Sequence, residues 1–235
     1  MISKSPETEI DDMYASFFEK SVEYLGTETT TMSLEDDLGS IEVYGNIPSA
    51  DMRFSISRFA VKNDKYATKN DPIDYLEIMV FYEWFDGHPF VRWKDGITIN
   101  WDSDVFTYKS GSFSATDVKW FLGQEIKTIN YSEPTELTQG GIGFCTDLNT
   151  LFAGSVQTGV SCGGRASIKL LPKHSPMYIG NIGDFSKNTT INANYLHNKN
   201  PIGFSVGFAV AGVQVMATVG GLSDSVAASV SMSYK

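Results

Sequence analysis

Apolar and polar side chains alternate along most of the chain with a period of two residues. The clearest case runs from Ile73 to Phe85, where one set of positions is apolar and the other is mixed. Because successive side chains of a β-strand point to opposite faces, this alternation predicts a long strand with one buried face. The apolar set is Leu76, Ile78, Val80, Tyr82 and Trp84, and the mixed set is Tyr75, Glu77, Met79, Phe81 and Glu83.

Shorter stretches with the same character predict further strands, and residues 172–201 are predicted to be the least regular part of the chain. Strands that recur about every eight to twelve residues are typical of an all-β protein rather than of alternating strand–helix units. The sequence therefore predicts an antiparallel β-sandwich. The other predicted strands are Ile41–Ile47, Met52–Val61, Phe90–Trp93, Ile97–Trp101, Ala115–Lys127, Ile142–Asp147 and Ala166–Leu171. A helix is the alternative for Ala115–Lys127, where the β-branched and aromatic residues favour the strand.

One segment, residues 6–25, has helical periodicity instead. Ser5 is a suitable N-cap, Pro6 fits the first helical position, and Gly26 is placed to end the helix. The broad apolar face of this amphipathic helix suits docking on the sheet, binding to a partner or lying on a membrane surface, and its acidic polar face disfavours an anionic membrane. The apolar face comprises Ile10, Met13, Tyr14, Phe17, Phe18, Val22 and Leu25.

The acidic residues concentrate at the N-terminus. Residues 1–37 hold ten Asp or Glu against two Lys, and the polar stretch Thr27–Asp37 is predicted to be a linker. We therefore expect an acidic N-terminal helix and linker at residues 1–37, followed by a single β-sandwich domain at residues 38–235. The net charge of −10 argues against nucleic acid as a partner, because phosphate binding needs clustered Lys and Arg.

Three of the four tryptophans, Trp84, Trp93 and Trp101, lie in the aromatic-rich run from Leu76 to Phe106. Aromatic side chains bury the most surface, so this run is where we expect the core to form. The alternative is an aromatic ligand surface formed by the same three tryptophans, as in a lectin-like carbohydrate binder. Their alternating positions favour the core.

The two cysteines, Cys145 and Cys162, are candidates for a disulfide. A bond that closes a loop of this length would stabilise the fold by about 3 kcal/mol on the chain-entropy model. It requires an oxidising, extracellular setting. Residues 1–4 run into an acidic segment without an apolar stretch, so we expect no signal peptide in the given chain. The alternative of a cytosolic protein with two free thiols therefore stays open.

The last segment, residues 203–235, is nearly uncharged, and we expect it to form one β-hairpin that turns at residues 220–224. Its strands are apolar on one face and carry Ser, Gly and Ala on the other, which suits either a pair of core strands or a membrane hairpin. The residues that would face lipid are Phe204, Val206, Phe208, Val210, Val226, Val230 and Met232.

Motifs of the common hydrolases, nucleotide-binding proteins and metalloproteases are missing from the sequence. Cys145 or Cys162 with His88, His174 or His197 has no supporting local motif. Asp95 and the stretch from Trp101 to Asp104 offer oxygens for calcium but lack the spacing of an EF-hand loop. We therefore expect no catalytic, cofactor-binding or metal-ligating residue, and a protein that is not an enzyme.

Part of the chain resembles a known group of proteins. Tyr82-Glu83-Trp84, Pro89, Arg92, the stretch Asp95–Asp102 and the stretch Gly140–Phe144 carry the likeness. They resemble secreted, β-rich, uncharacterised proteins of Gram-positive bacteria over residues 73–170. The resemblance implies a secreted all-β domain and transfers no catalytic residue.

The sequence favours a non-enzymatic extracellular binding or surface-structure protein of unknown ligand. One alternative is a membrane-active, pore-forming protein that uses residues 203–235, and another is a lectin-like carbohydrate binder. A membrane, a second copy of the chain and a cell-surface ligand all stay open as partners.

Overall fold

The computed structural model describes residues 20–32, 52–64, 66–84, 94–119, 124–147, 160–198, 207–211, 214–218 and 223–235. These residues form fourteen β-strands. The strands are β1 (Ser21–Met32), β2 (Met52–Lys62), β3 (Tyr75–Trp84), β4 (Lys94–Asn100), β5 (Phe106–Lys119), β6 (Gln124–Tyr131), β7 (Glu136–Leu137), β8 (Gly141–Asp147), β9 (Val160–Pro172), β10 (Ile179–Gly180), β11 (Lys187–Asn198), β12 (Gly207–Ala211), β13 (Gln214–Thr218) and β14 (Ser223–Tyr234).

The strands form two six-stranded antiparallel sheets and one separate pair. Sheet A has the order β1-β2-β3-β9-β5-β6, and sheet B has the order β10-β14-β11-β4-β8-β7. Strands β12 and β13 pair with each other, and β13 contacts β4 and β8. The prediction of an all-β, antiparallel sandwich is thus confirmed.

The core consists of the inward-facing side chains of both sheets. On β3 the apolar set from Leu76 to Trp84 is buried and belongs to the core, as its alternation predicts. Tyr82 packs against Phe113 of sheet A and Tyr195 of sheet B, with ring centroids 6.4 Å and 4.7 Å away. Aromatic pairs at such distances stabilise a core beyond the effect of their buried area.

The N-terminal helix is not confirmed. Residues 21–25 of the predicted helix lie in β1, and residues 6–19 lie outside the described residues. Strand β1 pairs with β2 along its whole length, so the predicted linker from Thr27 begins inside a strand. Threonine favours extended backbone, and pairing with β2 supplies the hydrogen bonds that the isolated segment would lack. The sheet therefore begins well before the predicted boundary at residue 38.

The stretch predicted to be least regular contains a central strand of sheet B. Strand β11 pairs with β14 on one side and with β4 on the other. Its inward side chains include Ile191, Ala193, Tyr195 and His197, whereas the other face is mostly Asn. The high Asn content conceals a period-two pattern. The predicted strands Ile41–Ile47 and Phe90–Trp93 lie outside the described residues.

The predicted C-terminal hairpin is wrong in its pairing. Strand β12 pairs with β13, while β14 pairs with β11 and, at its end, with β10. Strand β14 pairs with β11 over its whole length, and this pairing buries its apolar side chains Val226, Val230 and Met232 in the core. Strand β14 therefore belongs to sheet B.

Arg58 joins the two sheets along one flank of the sandwich. It lies on the inward face of β2, and its Nε and Nη2 donate to the Leu25 carbonyl at 3.1 and 2.9 Å. Its Nη1 donates to the carbonyl of Ser231 on β14. The Leu25 carbonyl lies at a bulge of β1, where Gly26 has a φ of 125° that other residues rarely adopt.

Arg58→Ala is expected to lower the free energy of unfolding by about 2–4 kcal/mol, because the half-buried carbonyls of Leu25 and Ser231 lose a charged donor. Arg53→Ala on the same strand is the matched control, since Arg53 forms an exposed ion pair with Glu83. Exposed pairs contribute about 0–1 kcal/mol. Urea denaturation of both variants gives the comparison, and equal losses would contradict a role for Arg58 in joining the sheets.

Candidate functional site

A chain of polar side chains crosses the core at one end of the sandwich. The Trp84 Nε1 of sheet A donates to the Tyr195 hydroxyl of sheet B at 3.0 Å. Tyr195 donates in turn to the Asp95 carboxylate. The other oxygen of Asp95 lies 2.8 Å from the His197 Nδ1. We call these four residues the buried network.

Strand ends place the four residues together. Trp84 is the last residue of β3, and Asp95 is the second residue of β4. His197 lies directly opposite Asp95 in the register of β11 with β4, and the backbone of Asp224 lies opposite His197 on its other side. Tyr195 is two residues before His197 and therefore points to the same face.

The buried network is closed to solvent. Trp84 and Tyr195 are fully buried, and Asp95 and His197 are each 2% exposed. An Asp–His pair can orient an imidazole for proton transfer, but a substrate must reach the ring for that to matter. Here the four groups satisfy one another inside the core. The chemistry that this geometry supports is structural: it fixes sheet A on sheet B.

The structure does not support the predicted aromatic ligand surface. Trp84 is buried, Trp101 is 3% exposed and donates to the Gln139 carbonyl at 3.0 Å, and Trp93 lies outside the described residues. The expectation that these aromatic residues build the core is confirmed for Trp84 and Trp101.

The oxygens considered for calcium do not converge. Asp95 is near the first residue of β4, whereas Asp102 follows the last residue of that strand. Asp102 accepts a hydrogen bond from the Asp104 backbone N–H in a turn. Within the described residues, no group of three or more Asp, Glu, His or Cys side chains could hold a metal ion.

The two cysteines lie on strands of different sheets. Cys145 is on β8 of sheet B, where it is half-buried, and Cys162 is on β9 of sheet A. The two strands do not pair with each other. The Cys162 side chain lies outside the described residues, and no disulfide occurs among the side chains that are described. The disulfide stays a prediction.

The proposed membrane-facing residues divide into two groups. Val226, Val230 and Met232 are buried in the core between the sheets. Phe204 and Val206 lie outside the described residues, whereas Phe208 and Val210 are on β12, where only the backbone is described. Of the histidines considered as bases, His88 lies outside the described residues and His174 is exposed on the segment after β9.

The outer face of sheet A is the accessible surface with the richest chemistry. It consists of the side chains of β1, β2, β3, β9 and β5 that point away from the core. Phe81 is 37% exposed and Tyr24 is 59% exposed, and the Tyr24 ring lies 5.5 Å from the ring of Phe59. Hydroxyl side chains surround these rings in register across the strands. They are Thr27, Ser55, Ser57, Ser112, Ser114 and Ser167.

Hydrogen bonds hold part of this face in place. The Tyr24 hydroxyl donates to Thr27 Oγ1 at 2.7 Å, and Thr27 Oγ1 lies 2.6 Å from the Ser57 hydroxyl. On β9 the Ser167 hydroxyl donates to Glu77 Oε1 at 2.8 Å. The face is thus a row of fixed polar groups beside exposed rings. The mixed positions of β3 mark this face in the sequence, because the alternation predicts that they point away from the buried face.

No family model matches the chain, and no curated protein matches it. Similar solved structures include the C-terminal domain of the Streptococcus pyogenes antigen I/II-family protein AspA. It is 13% identical, with a TM-score of 0.33, and the match covers 79% of this chain and 53% of that one. The C-terminal domain of the Streptococcus agalactiae AgI/II polypeptide BspA is 13% identical, with a TM-score of 0.31 and coverages of 75% and 46%.

A tailspike protein 4 domain of bacteriophage CBA120 is 10% identical, with a TM-score of 0.24, and the match covers 67% of this chain and 19% of that one. The chain spans about half the length of the streptococcal domains. Domains of Gram-positive antigens are therefore among the structures to which this chain is similar. TM-scores this low carry no argument about what the chain does. In the described part of the chain, no helix is long and apolar enough to cross a membrane.

Asp95→Ala is expected to lower the free energy of unfolding by about 3 kcal/mol, because Tyr195 and His197 would lose their buried acceptor. Asp104→Ala serves as the control, since this aspartate is exposed in a turn and the same atoms are removed. The control is expected to change stability by about 0.5 kcal/mol or less. Urea denaturation measures both, and a loss at Asp95 no larger than at Asp104 would contradict the structural role.

Proposed function

We propose that this protein is a non-enzymatic binding protein that presents the outer face of sheet A to a ligand outside the cell. The observation that carries the proposal is the contrast between the two polar regions. The side chains suited to proton transfer are buried in the network, whereas two exposed rings and a set of mostly half-buried hydroxyl groups lie on a sheet face. An exposed aromatic surface rimmed by polar groups is typical of a binding site.

A carbohydrate is the ligand class that suits this surface. The apolar faces of sugar rings stack on aromatic side chains such as Phe81, and sugar hydroxyls pair with the hydroxyls of Ser55, Ser114 and Ser167. The carbohydrate-binding site that we propose is therefore the outer face of sheet A and not the surface of the three predicted tryptophans. The extracellular setting rests on the sequence resemblance to secreted β-rich proteins.

Phe81→Ala is expected to weaken glycan binding by about tenfold, because stacking on the exposed ring is lost, while the protein stays folded with a moderately lower thermal midpoint. Leu137→Ala is the control, since Leu137 is 46% exposed but lies on β7 of sheet B. A glycan array identifies the ligand for the parent, and calorimetry compares the variants. Silence of the parent across the array would remove the carbohydrate form of the proposal.

A second candidate function is membrane activity of the β12–β13 hairpin. The described strands of the hairpin form no strand pairing with either main sheet, and residues 203–222 contain no charged side chain. Both properties favour a segment that leaves the protein for a lipid phase. Strand β14, whose apolar residues are in the core, would stay behind in this version of the pore hypothesis.

Under this candidate the parent releases dye from liposomes, and Val210→Asp abolishes release because a charge on the lipid-facing side of a strand is costly. Ala227→Asp is the matched control, since it adds the same charge at an exposed position of β14. Release by the parent and by the control, but not by Val210→Asp, would support the candidate. No release by the parent would reject it.

A further inference from the structure

Three lysines converge on one tyrosine at the edge of the outer face of sheet A. The ammonium nitrogens of Lys20, Lys109 and Lys169 lie 5.2, 5.3 and 5.3 Å from the centroid of the Tyr75 ring. Tyr75 points away from the core, yet it is only 7% exposed. Long lysine side chains cover apolar surface while their charged ends stay in water, which explains this burial. We call these four residues the lysine cluster.

Distant parts of the sequence build the lysine cluster. Lys20 directly precedes β1, Tyr75 begins β3 and Lys169 lies near the end of β9. Lys109 lies at an irregularity of β5, where the register with β9 shifts between Tyr108 and Ser110. The extra residue of a bulge re-aims side chains, and here it brings a third ammonium group to the ring.

The positive charges of the cluster are only partly compensated. Lys20 lies 3.9 Å from the Asp74 carboxylate, and Asp74 also accepts from Asn63. Among the described residues, neither Lys109 nor Lys169 forms an ion pair. Glu77 is the other carboxylate beside the cluster, and it accepts from Ser167. Like charges held this close repel one another, so a bound anion would lower the energy of the cluster.

Tyr75 itself does not compensate the charge. Burial raises the pKa of its hydroxyl above the usual value, and Glu77 and Asp74 raise the pKa further. The ring is therefore neutral at pH 7, and its interaction with the ammonium groups is of the cation–π kind.

A further cation extends the positive region along the same face. Arg165 is exposed on β9 and lies opposite Phe81 of β3 in register. It is four residues from Lys169, which places the two positions about 13 Å apart on one face of an extended strand. The positive charges are therefore spread along the row of rings and hydroxyl groups and are not confined to the lysine cluster.

From this arrangement we infer that the outer face of sheet A binds an anionic polysaccharide, whose acid groups lie against Lys109 and Lys169 and whose sugar rings lie along Phe81. The inference rests on the proposed function and specifies its ligand class. Charge complementarity selects an acidic ligand, and the hydroxyl groups beside an exposed ring select a carbohydrate over other anions. The spacing of Lys169 and Arg165 favours an extended chain.

The test compares polygalacturonate and dextran sulfate with unmodified dextran, using calorimetry at low and high salt. The parent is expected to bind at least one acidic polymer about tenfold more tightly than dextran, and to lose affinity as salt rises. The double variant Lys109→Gln/Lys169→Gln is expected to lower that affinity about tenfold or more. Its thermal midpoint should be that of the parent, since the substituted ends are at the surface.

The matched control is Lys187→Gln/Lys235→Gln. It removes the same charge, and both lysines also lie over aromatic rings, but on the side of sheet B. This control is expected to change affinity by less than about twofold. An equal loss in both double variants would show attraction by overall charge and overturn the assigned site.

Two further outcomes separate the inference from the proposed function. Binding of neutral glycans that depends on Phe81 but not on Lys109 and Lys169 would keep the proposed function and overturn the acidic ligand. Vesicles of phosphatidylglycerol are the last probe. Binding to vesicles that depends on the two lysines, without binding to either acidic polymer, would assign the cluster to a membrane surface and overturn the polysaccharide.

Discussion

The hydrogen bond from Trp84 of sheet A to Tyr195 of sheet B is the constraint on which the arrangement of both sheets depends. Most of the core is apolar, and apolar contacts tolerate small slips because they have little direction. A buried donor has to meet its acceptor, and an unpaired group in the core would cost about 1–3 kcal/mol. The same constraint applies to β4, because its residue Asp95 accepts a hydrogen bond from Tyr195 and faces His197.

The same constraint determines what the surface presents. A slip of β3 by one residue would move Trp84 away from Tyr195 and exchange the two faces of the strand. Phe81 would then enter the core, and Tyr82 would leave it. The buried network therefore acts on the candidate binding face without touching any ligand, since it fixes which side chains of β3 point outward.

Period-two alternation was enough to predict strands β2, β3, β4 and β8 and the second half of β9, because each carries a run of apolar side chains on one face. It was not enough for β1 and β11. Strand β1 is rich in threonine and depends on hydrogen bonds with β2, and β11 carries asparagine on its outer face and a buried histidine on its inner face. In both cases tertiary pairing supplies what the local sequence lacks.

The candidate site was harder to predict than the fold. Arg58 and Asp95 occupy inward positions, where period-two alternation predicts apolar residues. Their partners are more than thirty residues away in sequence. The lysine cluster combines residues from four separate segments, one of them placed by a bulge. Residue spacing along the chain contains no sign of such a convergence.

The two sheets differ in how far their outer faces are available. On sheet B, Thr98 is fully buried and Asn100 is 5% exposed although both point away from the core, and β13 contacts the strands that carry this region. Glycines on β4 and β8 leave room for that approach. The described part of sheet A carries no comparable layer over Phe81. The exposed rings of Phe81 and Tyr24 are on sheet A, and this is why the proposed ligand is assigned to that side.

The inferred acidic ligand requires a local attraction, because the chain as a whole is acidic. The net charge is −10, but ten of the acidic residues lie in residues 1–37, and one of these, Glu23, is paired with Lys62 at 2.9 Å. At physiological ionic strength charges are screened over about 8 Å, so a ligand at the lysine cluster responds mainly to the ammonium groups beside it. At low salt the remaining acidic residues act over a longer range, but the attraction by the nearer ammonium groups is screened less as well and stays the larger effect. Attraction and repulsion therefore have different ranges, and the lysine cluster can select an anion even though the chain as a whole repels it.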